Sequence, residues 1–114
     1  MTSLTWNYET SYDLIACGID AERVDRFNQY VTNDEHPMPF VFSRDEITDI
    51  RQLSDPAKGL CSAFCCKEAL YKAISKHYNF PDCELFLSED KHWHTLKLSD
   101  NLQSRFGIKK AEAR

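Results

Sequence analysis

Apolar residues along this chain follow two spacings, one typical of strands and one typical of helices. Residues 4–19 are predicted to be extended, and within them Tyr12–Asp20 alternates as a strand does. Towards the C-terminus, Glu84–Leu87 and Trp93–Leu98 are predicted to be the two strands of a hairpin. The final segment, Ile108–Arg114, is polar and is predicted to be frayed.

The longest helical pattern lies in the middle of the chain. Asp55 is a good N-cap, Pro56 suits the first helical position, and no further proline interrupts the pattern up to about Tyr78. Lys67 falls inside the apolar arc of this helix, where it must reach a rim, pair with an anion or face a polar cleft. The arc comprises Leu60, Ala63, Phe64, Leu70, Tyr71, Ala73, Ile74 and Tyr78.

Two shorter helices are predicted from their capping residues. Ser43 opens the first and has Glu46 three residues further on, which is a capping box. Ser99 or Asp100 opens the second, and Gly107 is a suitable C-terminal stop. Together with the strands, these helices predict an α+β fold in which a small, mainly antiparallel sheet packs on the long central helix.

Carboxylates lie at the end of the strand Tyr12–Asp20. Asp20 and Glu22 share a strand face with Gly18 and are expected to point the same way, about 7 Å apart. Gly18 leaves room for another group to approach the backbone. The alternative is that the strand has already ended and that Asp20 caps a helix beginning at Ala21.

Composition and charge restrict the possible functions. A chain of 114 residues is expected to be one domain, residues 1–114, and its net charge of −4 disfavours bulk binding to nucleic acid. No apolar run approaches the roughly 20 residues of a membrane span, and the N-terminus lacks a signal-peptide pattern. The cytosol is therefore the expected location.

The five cysteines admit two interpretations. An odd number, with three of them in one helix, is typical of reduced cysteines that pack as small apolar residues. A zinc site is the alternative, since Cys61 and Cys65 lie one helical turn apart. Its further ligands would be His92 or His94, but no CxxC spacing supports such a site.

Charged residues on the central helix also admit two interpretations. Glu68 and Lys72 lie one turn apart and could form a surface ion pair worth roughly 0.2–0.5 kcal/mol. Alternatively, Glu68 and the two lysines, Lys67 and Lys72, border a cleft for phosphate and metal. Asp20, Glu22 and Glu68 could all stay ionised in such a cleft only around a cation, and hard oxygen ligands favour Mg²⁺.

Two motifs follow one another at the strand end and on the central helix. The first is Gly18–Glu22 (GIDAE) and the second is Lys67–Ala73 (KEALYKA), with Phe64 three residues before it. In this order they resemble the GxD(x)E strand end and the (F/W)xxKEAxxKA helix of the 4′-phosphopantetheinyl transferase superfamily. Phe42–Ile47 resembles the start of an intervening helix of that family, and residues 84–98 resemble its hairpin.

The resemblance implies an enzyme that moves the 4′-phosphopantetheine arm of coenzyme A onto a serine of an acyl or peptidyl carrier protein. It implies Mg²⁺ held by Asp20, Glu68 and, as in the larger members, Glu22. Glu68 would also help to deprotonate the serine, directly or through a water. Lys67 and Lys72 would bind the phosphates of coenzyme A, and Lys72 could protonate the leaving phosphate.

The resemblance also implies protein partners. Arg23 and Arg26 would meet an acidic helix of the carrier protein. Larger members join two such units in one chain, so a single unit is expected to form a homo-oligomer, either a trimer or a dimer. The chain has no Ser-His motif, with Trp6 where the His might stand, and is expected to lack the final strand of the small members. These departures leave a second hypothesis, a catalytically degenerate member that binds a carrier protein or a nucleotide.

Overall fold

The structure is a computed structural model that describes residues 2–7, 14–31, 38–86, 94–108 and 110–113. The α+β prediction is confirmed. In chain order the elements are β1 (Thr2–Asn7), β2 (Leu14–Asp20), α1 (Asn28–Val31), α2 (Arg44–Arg51), α3 (Pro56–Ile74), β3 (Cys83–Phe86), β4 (His94–Leu98), α4 (Asp100–Phe106) and β5 (Lys110–Ala113). Short 3₁₀ helices occupy Val24–Phe27 and Phe80–Asp82.

The described strands form one antiparallel sheet in the order β2-β1-β5-β4-β3. Its register sets Leu4 of β1 opposite Gly18 of β2 and also opposite Ala113 of β5. Because side chains alternate along each strand, the sheet has two faces. Gly18 and Ala113 are buried on one face, whereas Ile19 and Lys97 are exposed on the other. The hydrophobic core therefore lies on the face of Gly18.

The C-terminal segment corrects one prediction. Instead of being frayed, it contains β5, which lies in the middle of the sheet between β1 and β4. Ala111 and Ala113 are buried there, with 0% and 1% exposure. Alanine, lysine and glutamate have low strand propensity, so the sequence of β5 alone does not indicate a strand. The expectation that a final strand is lacking is also wrong.

Helix α3 begins where predicted and ends earlier. The Asp55 carboxylate accepts a hydrogen bond of 3.2 Å from the backbone N–H of Lys58, and Pro56 is the first helical residue. Ser75, in the left-handed conformation with φ 57°, ends the helix before Tyr78. The buried side of the helix is wider than the predicted arc and also includes Cys61, Cys65, Cys66, Lys67 and Ala69.

The capping predictions are confirmed in α2 and α4. Ser43 Oγ accepts a hydrogen bond of 3.1 Å from the Glu46 N–H, and the Glu46 carboxylate accepts one of 3.3 Å from the Ser43 N–H. Ser99 Oγ accepts from the Leu102 N–H at 3.1 Å, and Gly107, with φ 66°, ends α4. The predicted hairpin is confirmed by the antiparallel pairing of β3 with β4, and its loop lies outside the described residues. In the described parts of the chain, no helix combines the length and apolarity needed to cross a membrane.

Candidate active site

The end of β2 lies directly against the middle of α3. A Cβ at Gly18 would overlap the carbonyl oxygen of Ala69 and would lie 3.1 Å from the Cβ of Ala73. Only glycine therefore allows the strand to approach the helix this closely. Asp20, two residues further along the same strand face, is brought to α3 beside Lys72.

Asp20 is bound to α3 by an ion pair. Lys72 Nζ donates a hydrogen bond to Asp20 Oδ1 across 2.7 Å, with the Asp20 side chain 13% exposed and that of Lys72 52% exposed. This hydrogen bond raises the pKa of Lys72. Strand β2 runs through Asp20, and the next helical turn begins at Val24 with Arg23 at its N-cap position. The alternative in which Asp20 caps a helix is therefore wrong.

Glu22 forms a second ion pair at the same edge of α3. Arg26 Nη1 lies 2.6 Å from Glu22 Oε2, and the Arg26 guanidinium lies 5.3 Å from the ring centroid of Phe64. The backbone carbonyl of Glu22 accepts a hydrogen bond of 3.6 Å from the Cys61 thiol. Because Cys61 and Phe64 both belong to α3, this helix holds Glu22 as well as Asp20.

Glu68 is a half-buried carboxylate on α3, one turn before Lys72. Its pKa is raised, mainly by burial and then by the negative charge of Asp20, with Glu22 acting in the same direction. The positive charges of Lys72 and Arg26 oppose this rise. Among the described residues, none forms a hydrogen bond or an ion pair with the Glu68 carboxylate. Asp20 and Glu22 thus lie close enough to Glu68 to raise its pKa, although no three acids of the described residues are arranged to hold a metal ion.

Lys67 is enclosed in the core, which corrects its predicted role as a binding residue for the phosphates of coenzyme A. Its side chain is 1% exposed, and its Nζ lies 3.0 Å from Oε1 of Glu46, which is 0% exposed. An ammonium enclosed in this way is not open to the phosphates of coenzyme A. Of the three possibilities for Lys67, pairing with an anion is the observed one. The sequence identified Glu46 only as the third residue of a capping box, so the buried pair was missed.

The two arginines predicted to bind the carrier protein have different surroundings. Arg23 is 83% exposed and lies 2.6 Å from Asp25, which is itself 58% exposed. Arg26 instead turns towards α3, where it contacts Glu22 and the Phe64 ring. Only Arg23 therefore presents its charge mainly to solvent.

Cysteines contribute to the core. Cys61, Cys65, Cys66 and Cys83 are buried thiols that form no disulfide among the described residues. Burial raises the pKa of Cys61, one of the two cysteines of the zinc alternative, which disfavours the thiolate that a metal would need. In the ranges that the structure describes, no three His, Cys, Asp or Glu side chains could hold a metal ion as they stand. His92 lies outside those ranges, and nothing described supports the zinc alternative.

Comparison with known proteins agrees with the two motifs. The family model of the 4′-phosphopantetheinyl transferase superfamily matches residues 16–111. This chain therefore belongs to the 4′-phosphopantetheinyl transferase superfamily, and the resemblance carried by the motifs is confirmed. Neither the curated proteins nor the solved structures gave a significant match. The matched range contains β2 from Ala16 onwards, the whole of α3 and every residue of the candidate site.

Proposed function

We propose that this protein transfers the 4′-phosphopantetheine group of coenzyme A to a serine of an acyl or peptidyl carrier protein in an Mg²⁺-dependent reaction. Family membership supports phosphopantetheinyl transfer as the general activity. One observation carries the finer proposal. Asp20 at the end of β2 is bound to Lys72 of α3 and raises the pKa of Glu68, although it lies far from both in the sequence.

Asp20, Glu22 and Glu68 are the carboxylates that would hold a divalent cation, although their present positions, with Asp20 and Glu22 paired to Lys72 and Arg26, do not form a three-ligand site. Mg²⁺ prefers carboxylate oxygens and commonly binds substrate phosphates together with one or two of them. Burial, followed by the negative charges of Asp20 and Glu22, raises the pKa of Glu68, and a cation beside it would favour the ionised carboxylate. When bound, the ion would supply positive charge for the diphosphate of coenzyme A. Lys72 and Arg26 would release their carboxylate partners at the same time.

The proposed proton transfers use residues of this chain. Glu68 accepts the proton of the carrier serine while the serine oxygen forms a bond to the phosphorus of the phosphopantetheine arm. The bond between that phosphorus and the bridging oxygen of the diphosphate breaks. Lys72 donates a proton to the leaving adenosine 3′,5′-bisphosphate and offsets its charge. Lys67 has no part in this phosphate site because it is buried.

The carrier protein is proposed to bind beside the end of β2. Arg23 is open to an acidic partner, and Arg26 would exchange Glu22 for a carboxylate of the carrier. Charges at the rim of an interface mainly increase the rate of association. A homo-oligomer in which a second copy completes the cleft remains a prediction.

Mass spectrometry of an apo carrier protein tests this function. With coenzyme A and Mg²⁺, we expect the wild-type protein to add one phosphopantetheine group to the carrier. Glu68→Ala should reduce the rate at least about 100-fold, because it removes the proposed base and a metal ligand. Asp45→Ala, at an exposed carboxylate of α2, is the matched control and should leave the rate unchanged. If no carrier of fatty-acid, polyketide or peptide synthesis gains mass, the proposed transfer is wrong.

The second candidate is a catalytically degenerate member that binds a carrier protein or a nucleotide. This candidate is favoured because Lys72 and Arg26 of the chain itself already pair with Asp20 and Glu22. In titration calorimetry, such a protein would bind coenzyme A or the carrier with equal affinity with and without Mg²⁺. Together with an unmodified carrier, that result would favour this candidate over the enzyme.

A further inference from the structure

A buried ion pair lies one residue away from Glu68. Glu46 and Lys67 are 0% and 1% exposed, and 3.0 Å separates their charged atoms. Removing two charges from water is expensive, and an apolar pair of similar volume often stabilises a core as well or better. Stability alone is therefore a weak explanation for this pair.

Hydrogen bonds connect the pair to several elements. Lys67 Nζ donates to the carbonyl oxygen of Phe80 across 2.9 Å and also to that of Cys83. The second carboxylate oxygen of Glu46 accepts from the backbone N–H of Leu85 across 2.8 Å. One pair of side chains thus joins α2, α3, β3 and the 3₁₀ turn before β3 by directional bonds.

These bonds hold α3 at the residue next to Glu68. Besides the side-chain bonds of Lys67, its backbone carbonyl accepts a hydrogen bond of 2.7 Å from the Tyr78 hydroxyl. Successive residues of a helix are about 100° apart, so a fixed direction for Lys67 also fixes the direction of Glu68. Apolar contacts are non-directional and would hold the rotation of the helix less firmly.

We propose that the Glu46–Lys67 ion pair fixes the rotation and axial position of α3, so that Glu68 meets Asp20 at the end of β2. Both members are positioning residues, since they are enclosed and touch no substrate. The catalytic consequence rests on the proposed function. The structural consequence, a fixed contact between α3 and β2, rests on the contacts of the pair alone.

The double variant Glu46→Gln/Lys67→Met tests the proposal because it removes both charges and keeps nearly the same shapes. We expect a folded protein whose affinity for Mn²⁺, used as a spectroscopic probe of the carboxylate site, falls about tenfold or more, together with its turnover number. Leu102→Ala, at the buried residue Leu102 of α4, is the matched control. It should lower Tm and leave the Mn²⁺ affinity unchanged. Wild-type Mn²⁺ affinity in the folded double variant would overturn the proposal.

A nuclear Overhauser effect provides a readout that does not depend on activity. The Gly18 Hα protons and the Ala73 methyl group are in contact, so the wild-type protein should show a strong cross-peak between them. We expect this cross-peak to weaken in the double variant and to persist in Leu102→Ala. A cross-peak of full strength in the double variant would rule out the positioning role, even if the wild-type protein bound no Mn²⁺.

A third variant covers the case in which the double variant does not fold. Glu46→Asp keeps both charges and shortens the reach of the carboxylate, so it should weaken the cross-peak and the Mn²⁺ affinity in a folded protein. A cross-peak and an Mn²⁺ affinity that are both unchanged in folded Glu46→Asp would overturn the proposal. Failure of the proposed function looks different, because the wild-type protein would then modify no carrier while the cross-peak still responded to these variants.

Discussion

At the residue scale, Gly18 decides whether the two parts of the candidate site meet. Its missing side chain leaves space for the carbonyl oxygen of Ala69, and this contact brings Asp20 to α3. Glu68 then experiences the charge of Asp20, which together with burial raises its pKa. The close approach of the two backbones at Gly18 thus determines that the charge of Asp20 lies near Glu68.

The contact at Gly18 can be tested by adding one methyl group. Gly18→Ala should lower the free energy of unfolding by about 3 kcal/mol, because backbone atoms of α3 cannot move aside as a side chain can. Gly59→Ala is the matched control, since its new Cβ would meet the flexible tip of Leu53 at 2.8 Å. Urea denaturation measures both changes. Equal losses in the two variants would show that the approach of β2 to α3 is not tight.

The raised pKa of Glu68 predicts a stability that depends on pH in the metal-free protein. From the ordinary carboxyl pKa of 4.5 upwards, the folded state keeps a proton that the unfolded state has lost, so the free energy of unfolding falls as pH rises. Glu68→Gln has no titratable carboxyl group at this position and should therefore not show this fall in the free energy of unfolding. In the presence of a chelator at pH 7, its Tm should rise, and the gain should vanish below the ordinary carboxyl pKa of 4.5.

Asp49→Asn, at an exposed carboxylate of α2, is the control for Glu68→Gln and should change Tm by less than about 2 °C. Thermal unfolding by circular dichroism at several pH values measures both variants. A lower Tm for Glu68→Gln at pH 7 would mean that the Glu68 carboxylate is stabilising rather than strained.

At the scale of elements, α3 connects the core with the candidate site. One side of the helix contains Lys67, which is held by Glu46 of α2, and the next residue is Glu68 of the candidate site. The sheet packs against this helix. The middle strand of the sheet is β5, in which Ala111 and Ala113 are buried. The position of the site therefore depends on contacts made throughout the domain.

Removing one member of the buried pair should be much more harmful than removing both. Lys67→Met alone leaves the Glu46 carboxylate buried without its cation and should cost about 3–5 kcal/mol in unfolding free energy. Glu46→Gln/Lys67→Met should recover most of this loss, because it leaves no uncompensated charge. Urea denaturation of the single and double variants measures the difference. If the double variant were as unstable as Lys67→Met, an uncompensated buried charge would not be the cause of the loss.

At the scale of the whole molecule, the sheet presents one face that is not part of the core. Ile19 is 51% exposed on this face, and Thr95 and Lys97 are exposed there too. Val24, just after the strand, is also 40% exposed. The homo-oligomer in which a second copy completes the cleft is still a prediction, and this face, next to the candidate site, is where a contact can be tested.

Light scattering after size exclusion can test this expectation. We expect a mass that is a multiple of 13.3 kDa, and Ile19→Lys should shift it towards the monomer by placing a charge in the contact. Phe40→Lys is the matched control, since Phe40 is 87% exposed in a different part of the chain. A monomer for the wild-type protein would contradict the expectation directly.

Local signals were enough to predict most elements. Asp55, Ser43 and Ser99 cap the helices as expected, because a capping side chain bonds to a backbone only a few residues away. The strand β5 could not be predicted in this way, because its pairing with β1 and β4 overrides a weak local propensity. The position of Lys67 could not be predicted from a local pattern either, because its partner Glu46 lies in another helix.

The amino-acid sequence by itself determined the family and the helix that bears Glu68 and Lys72, because each motif and each cap depends on residues close together in the chain. It left Asp20 open between a strand end and a helix cap, and the structure places Asp20 in β2. Only the tertiary structure decided which charges meet. It paired Asp20 with Lys72 and Glu22 with Arg26, and it buried Lys67 against Glu46. Such pairings depend on distance and burial, and both are set by the packing of β2 and α2 on α3 rather than by any local pattern.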